Sequence, residues 1–140
     1  MQDQTKTRGG RIIPALRYRQ AAPAIDWLCK AFGFERRMVV PADGGKIAHA
    51  ELTLGNGMIM LGDVDTEYGQ LVAAPNGSGQ PVTQGIYVVV DDVDAHYAKA
   101  QDAGADIVLP IKTQDYGGRD YTARDLEGHV WTFGNYDPWA

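Results

Sequence analysis

The sequence repeats one order of predicted elements twice, and this repeat constrains the fold more than any other feature. In each half a strand leads into a helix that ends at a glycine, Gly33 in the first half and Gly104 in the second. Three strands then follow, and the last two are joined by a short glycine-bearing hairpin. Identity between the halves is low, so the match is one of element order. It predicts two tandem βαβββ modules.

The repeat divides the chain into four ranges. Residues 1–10 are polar and are expected to form a disordered leader. Residues 11–62 form the first module, and residues 84–140 form the second. The intervening residues 63–83 are rich in Gly, Pro, Asn, Ser and Gln, which indicates a linker loop. A module of about 60 residues buries too little surface to be stable alone, so we expect one structural domain of class α+β, with curled mixed sheets around a cleft.

Apolar spacing predicts the individual elements. Strands are expected over 11–19, 34–40, 46–54, 58–61, 85–90, 107–111, 119–124 and 129–135, and helices over 21–32 and 93–103. Strict alternation along 46–54 places Ala48 with Ala50 on one face and His49 with Glu51 on the other. Trp27, Tyr121, Trp131 and Phe133 are expected in the core. His96, on a charged helix, is expected at the surface.

Charge and cysteine content exclude several classes of protein. The formal net charge of −5 disfavours nucleic acid and anionic membrane as partners. The single cysteine, Cys29, excludes an intramolecular disulfide. Neither a signal peptide nor an apolar run of membrane-spanning length is evident. We therefore expect a cytoplasmic protein.

Several segments together resemble the glyoxalase / bleomycin resistance protein / extradiol dioxygenase (vicinal oxygen chelate) superfamily. In the second half these are residues 90–95, 103–105 and 119–133, which look like its strand-to-helix segment and its closing hairpin. In the first half, residues 24–28 and 32–35 resemble its helix followed by Leu-Gly-Phe. The resemblance covers about residues 11–136 and implies the glyoxalase/bleomycin resistance fold. Its members include metal-dependent isomerases, epoxide openers and dioxygenases, and metal-free proteins that sequester a drug.

The resemblance also implies where a metal would be held. Metal-dependent members place His, Gln or Glu on the first and last strands of each module. Those positions fall on Ile13, on Met60 or Leu61, on Gly85 and on Thr132. None of these is a usual ligand for a divalent metal. The leading hypothesis is therefore a metal-free, cofactor-free homodimer that binds and sequesters a small organic ligand, with module pairing within or between chains left open.

An alternative function centres on His49 and Glu51. Lying two apart on one strand, they are either two metal ligands or a base with its orienting acid, although alternation alone also predicts polar residues there. The alternative is a metal-dependent lyase, isomerase or dioxygenase-type enzyme with a displaced site. A third ligand is not evident, and Asp63 is the nearest candidate in sequence. Whether the protein is an enzyme stays open.

The predicted pocket combines open strand faces with one loop residue. It comprises Ala15, Arg17, His49, Glu51, Met58, Met60, Tyr87, Val89, Tyr116, Asp120, Thr122, Arg124 and Thr132. Arg124 either holds an anionic group of a ligand or forms an ion pair with Asp125 or Glu127. Tyr116 and Tyr68 lie in loops that either close over a ligand or pack locally.

Overall fold

A computed structural model describes residues 9–77 and 79–140 of the chain. Residues 1–8 of the predicted leader lie outside the described residues. Gly10, its last residue, donates a backbone hydrogen bond to the carbonyl oxygen of Asn56 at 3.3 Å.

The described residues form two modules of one helix and four strands each. The first contains β1 (Ala15–Tyr18), α1 (Ala21–Phe32), β2 (Glu35–Pro41), β3 (Ile47–Leu54) and β4 (Gly57–Asp63); the second contains β5 (Gly85–Val89), α2 (Val93–Asp102), β6 (Asp106–Thr113), β7 (Arg119–Arg124) and β8 (Val130–Gly134). The sheet orders are β1-β4-β3-β2 and β5-β8-β7-β6. The first strand of each module pairs in parallel with the last, and the remaining pairs are antiparallel. The predicted α+β fold of two βαβββ modules is confirmed.

Local sequence explains where the helices begin and end. Gly33 follows α1 in the left-handed conformation, with φ of 86°, which glycine adopts without steric cost. Asp92 precedes α2, and its side chain accepts a hydrogen bond from the backbone N–H of Ala95. Neither described helix is long and apolar enough to cross a membrane.

One hydrophobic core joins the modules. The helices pack against each other, and the ring of Phe32 on α1 lies 5.7 Å from that of Trp131 and 4.6 Å from that of Phe133, both on β8. Tyr121, Trp131 and Phe133 are fully buried, as predicted, whereas Trp27 is half-buried and donates to the carbonyl of Ala103. Among the described residues no strand of one sheet pairs with a strand of the other. In each sheet the residues that alternate with the core residues, such as His49 and Tyr87, lie on an open face turned away from the helices.

His96 is not a surface residue, contrary to the prediction. Its ring lies 4.2 Å from that of Phe133 and 6.1 Å from that of Phe32. Its Nδ1 is 2.6 Å from the hydroxyl of Tyr121, and its Nε2 is 2.8 Å from the carbonyl oxygen of Phe32. The prediction was wrong because the face of α2 that carries His96 packs against the end of α1 instead of facing solvent.

Ala48 also departs from the predicted alternation. The register of β2 against β3 is irregular between Val40 and Pro41, so that these residues pair with His49 and Ile47. Ile47 is consequently buried, whereas Ala48 is exposed beside His49. An irregularity of this kind inserts an extra residue and turns the following side chains to the other face.

Candidate functional site

A hollow of about 320 Å³ lies on the open face of the first sheet. It is lined by Ala15, Arg17, Ala48, His49, Met60, Thr66 and Tyr68. Four of these belong to the predicted pocket. Strand register brings them together, because Ala15 pairs with Met60 across β1 and β4 and Arg17 pairs with Gly62. We call it the Arg17 hollow.

Arg17 is the buried cation of this hollow, with 5% of its surface exposed. Its Nε donates to the carbonyl oxygen of Leu16 at 3.0 Å, and its Nη1 donates to the carbonyl oxygen of Asp63 at 3.4 Å. The ring of Tyr68 covers the guanidinium at 5.0 Å from Cζ, within the range of a cation–π contact. Burial lowers the pKa of Arg17, and the charges of Tyr68 and Asp63 oppose that shift.

A glycine makes room for this arginine. A Cβ atom at Gly62 would lie 2.8 Å from Nη1 of Arg17 and 2.7 Å from the carbonyl oxygen of Ala48. Any other residue at position 62 would therefore displace the guanidinium or the neighbouring strand.

His49 and Glu51 contact each other beside the hollow. Nε2 of His49 lies 3.0 Å from Oε2 of Glu51, and Nη1 of Arg37 lies 2.9 Å from Oε1 of the same carboxylate. The hydrogen bond to His49 first, and then the charge of Arg37, lower the pKa of Glu51. Both carboxylate oxygens therefore already have cationic or hydrogen-bonding partners.

A third ligand for this pair is not found among residues 9–77 and 79–140. No group of three or more His, Cys, Asp or Glu side chains in these ranges could hold a metal ion. Asp63, the nearest candidate in sequence, is 2% exposed and structural. Its Oδ1 accepts from the N–H of Ala21 at 3.1 Å, and its Oδ2 accepts from the N–H of Ile47 at 2.6 Å.

The open face of the second sheet brings together most of the other predicted residues. Thr122 and Thr132 pair across β7 and β8, with their hydroxyls 2.7 Å apart. Tyr87 lies on β5 directly beside Thr132, and Val89 follows two residues later. Their shared surface is apolar and aromatic, with a hydroxyl pair at its centre.

Asp120 is a charged residue of this second face. Its carboxylate accepts from Nε2 of Gln114 and from the hydroxyl of Tyr116, both at 2.9 Å. The hydrogen bond to Asp120 raises the pKa of Tyr116. Burial, followed by the charge of Asp120, raises the pKa of Tyr87. Both phenols are therefore kept protonated as hydrogen-bond donors.

Arg124 lies apart from these groups. Its Nη1 is 3.6 Å from the carboxylate of Asp106, and its Nη2 donates to the carbonyl oxygen of Gly79. It lines a different hollow of about 260 Å³ that shares no lining residue with the Arg17 hollow. The expected ion pair with Asp125 or Glu127 is wrong, because those carboxylates accept from backbone N–H groups and from buried side chains. Met58, also predicted, pairs with Thr53 on β3 and does not line the Arg17 hollow.

A larger cavity was missed by sequence reasoning. This linker cleft, of about 770 Å³, lies between residues 13–16, Ile86 and linker residues 71–76 and 80–83, and no carboxylate, Lys or Arg side chain is found among its described lining residues. Ala15 and Tyr68 border both the linker cleft and the Arg17 hollow. Its lining comes mainly from the linker, whose position depends on tertiary contacts that no periodic pattern reveals.

Comparison with known proteins gives consistent matches over most of the chain. An uncharacterized protein of Mycobacterium bovis is 36% identical over 125 residues, which cover 88% of this chain and 81% of that protein. The crystal structure of TioX from Micromonospora sp. ML1 superposes with a TM-score of 0.71 at 35% identity, covering 89% of this chain and 94% of TioX.

More distant structures share the fold alone. The fosfomycin resistance protein FosX from Mesorhizobium loti superposes with a TM-score of 0.66 at 11% identity, covering 93% of this chain and 94% of FosX. The family model described as Glyoxalase/Bleomycin resistance protein/Dioxygenase superfamily matches residues 11–133. With two βαβββ modules in place and a match that spans both, this chain belongs to the glyoxalase/bleomycin resistance protein/dioxygenase superfamily.

Proposed function

We propose that this protein binds and sequesters a small organic ligand, without a resident metal, in a cup that two copies of the chain form together. The observation that carries the proposal is the composition of the two open sheet faces. Met38, Val40, Tyr87, Val89 and Leu109 are between 39% and 62% exposed. Large apolar side chains exposed together on the faces of a small protein typically mark a binding site or an interface.

The strand edges support a dimer. β1 and β5 each have a partner on one side only, and the two sheets of one chain do not pair with each other among the described residues. Unpaired edges are normally covered. Within one chain β1 faces β5 across the linker cleft, so the edges left for a second copy are those of β2 and β6. A second copy that pairs along one of these outer edges covers it and completes the cup with its own open faces.

The chemistry of the faces favours an organic ligand over metal catalysis. Tyr87 and Met60 provide aromatic and adaptable apolar surface of the kind that lines small-molecule pockets. The positions that the family resemblance associates with metal carry Ile13, Met60 or Leu61, Gly85 and Thr132. The hydroxyl of Thr132 is already bonded to Thr122. These residues support binding without a metal.

The proposal is tested by ligand titration together with light scattering at tens of micromolar protein. We expect a dimer, and we expect at least one member of a panel of aromatic and peptide-like drugs to bind with an affinity that chelator treatment does not change. Val89→Arg places a charge on the open face and is expected to abolish binding. Leu126→Arg, on an exposed hairpin residue, is the matched control. A monomer, or no binding at millimolar ligand, contradicts the proposal.

A second candidate is a metal-dependent lyase, isomerase or dioxygenase-type enzyme. The 3.0 Å contact between His49 and Glu51 favours it, since a carboxylate in this position orients a base. Metal analysis of protein purified without chelator separates the two candidates. A stoichiometric metal that is lost in His49→Ala would reverse our ranking.

A further inference from the structure

Arg17 is a cation that the fold removes from water without giving it a carboxylate partner. In the part of the chain that the structure describes, its hydrogen bonds go to two backbone carbonyl oxygens, those of Leu16 and Asp63. Among the described residues, no ion pair within 4.0 Å includes Arg17. The nearby carboxylate of Asp63 is held instead by the N–H groups of Ala21 and Ile47. Buried charges are ordinarily paired, so this arrangement leaves electrostatic capacity for an anion.

The surrounding geometry preserves the arginine in this position. Gly62 leaves open the space that the guanidinium occupies, since a Cβ there would meet Nη1 at 2.8 Å. Cζ of the guanidinium lies over the ring of Tyr68, 5.0 Å from its centroid. The hollow beside it, at about 320 Å³, is at the small end of the range of about 300–1,000 Å³ for ligand pockets.

We propose that Arg17 is the receptor for an oxyanion, a carboxylate or a phosphonate, carried by the organic ligand. This inference rests on the proposed function, because it names the ligand class of the same site. A guanidinium has five N–H donors in a planar fork that matches the oxygens of either group. Two of these donors reach backbone carbonyls, and the remainder are available to a ligand in the hollow.

The rest of the lining suits a ligand with an anionic head and an apolar body. His49 and Thr66 provide polar atoms near the arginine, while Ala15 and Met60 provide an apolar wall. The adjoining linker cleft has no charged lining from carboxylate, Lys or Arg groups and shares Ala15 and Tyr68 with the hollow. The net charge of −5 disfavours non-specific anion binding, so anion affinity that depends on one arginine reports a local site.

Calorimetric titration of the full chain with four probes tests the inference. The probes are benzoate, phenylphosphonate, benzamide as the neutral analogue, and inorganic phosphate. We expect benzoate or phenylphosphonate to bind at least about tenfold more tightly than benzamide, as a charge-assisted bidentate contact provides. Which of the two binds more tightly identifies the oxyanion.

Variants locate the binding group. Arg17→Met keeps the apolar stem and is expected to remove the preference for the anion. Arg17→Lys keeps the charge without the planar fork and is expected to retain part of it. Arg36→Met is the matched control, because Arg36 forms an exposed ion pair with Asp26. Should Arg17→Met fail to fold, the Nε–Hε signal of Arg17 in wild-type protein, followed by NMR during benzoate titration and assigned with Arg17→Lys, provides the same information.

Each contrary result has a distinct meaning. Equal affinity for benzoate and benzamide, or an anion preference that survives Arg17→Met, overturns the inference. If inorganic phosphate binds as tightly as phenylphosphonate, the site does not recognise the organic part of the ligand, and the inference is wrong. If neutral drugs bind but neither anionic probe does, the proposed function stands and this inference falls. If no probe or drug binds, both fall.

Discussion

Replacing Asp125 with asparagine is expected to destabilise the whole fold, because one buried carboxylate ties the two modules together. Asp125 is 6% exposed. Its Oδ2 accepts from the hydroxyl of Tyr18 on β1 at 2.6 Å and from Nε1 of Trp131 on β8 at 3.0 Å. Its Oδ1 accepts from the backbone N–H groups of residues 127–129 at 3.0 to 3.1 Å.

The size of the stability loss in Asp125→Asn depends on which hydrogen-bond donors lose their acceptor. The asparagine NH₂ must face either the Tyr18 and Trp131 side or the three backbone N–H groups. The Tyr18 hydroxyl can rotate to accept, but the indole N–H of Trp131 cannot, so the less costly orientation still leaves one buried donor unsatisfied. The unsatisfied donor, together with the weakening of the other hydrogen bonds when their acceptor loses its charge, is expected to lower the free energy of unfolding by about 2–4 kcal/mol. The corresponding fall in melting temperature is on the order of 10 °C for a chain of this size.

Urea denaturation followed by tryptophan fluorescence measures this effect, with Tyr18→Phe and the double variant completing a cycle. The losses in the free energy of unfolding of the two single variants, added together, are expected to exceed the loss in the double variant by at least about 0.5 kcal/mol. The reason is that Asp125 and Tyr18 share one hydrogen bond. Asp26→Asn, at an exposed carboxylate, is the control and is expected to change stability by less than about 0.5 kcal/mol. A loss below about 1 kcal/mol in Asp125→Asn would refute the reasoning.

Three further predictions concern single residues. Burial lowers the pKa of His96 below its ordinary value of about 6.5. Because the unfolded chain then binds more protons than the folded chain, the free energy of unfolding should fall between pH 7.5 and pH 5.5. This fall should be smaller in His96→Gln. Equal pH slopes would contradict this. Gly62→Ala should weaken benzoate binding and lower the melting temperature, because the new methyl group meets Arg17 and Ala48; unchanged values of both would show that the contact relaxes freely. Burial raises the pKa of the Cys29 thiol, so a disulfide reagent at pH 7.5 should react more slowly with native than with urea-unfolded protein, and equal rates would count against that burial.

The order and type of the elements could be predicted because they depend on local chemistry. Gly33 ends α1 as its position in the sequence indicates, and α2 is capped by Asp92, one of two consecutive aspartates that precede it. The errors occurred where a partner decides the outcome. Ala48 turned to the open face because of an irregular register with β2, and His96 became buried because α2 packs on α1. Neither the register nor the packing partner is encoded within the segment itself.

The two arginines on the open strand faces show why the candidate site could be predicted only in part. Strand parity placed both Arg17 and Arg124 among the pocket residues, and for Arg124 it left open an anionic group of a ligand or an ion pair with Asp125 or Glu127. In the structure Arg124 has a carboxylate partner in Asp106, from the neighbouring strand. Arg17 has none, because the carboxylate of Asp63 is committed to backbone N–H groups of α1 and β3. Strand parity predicts which face of the sheet a side chain occupies. Whether the charge of that side chain is already paired depends on contacts distant in sequence. The charge of the proposed ligand is therefore inferred from the tertiary structure.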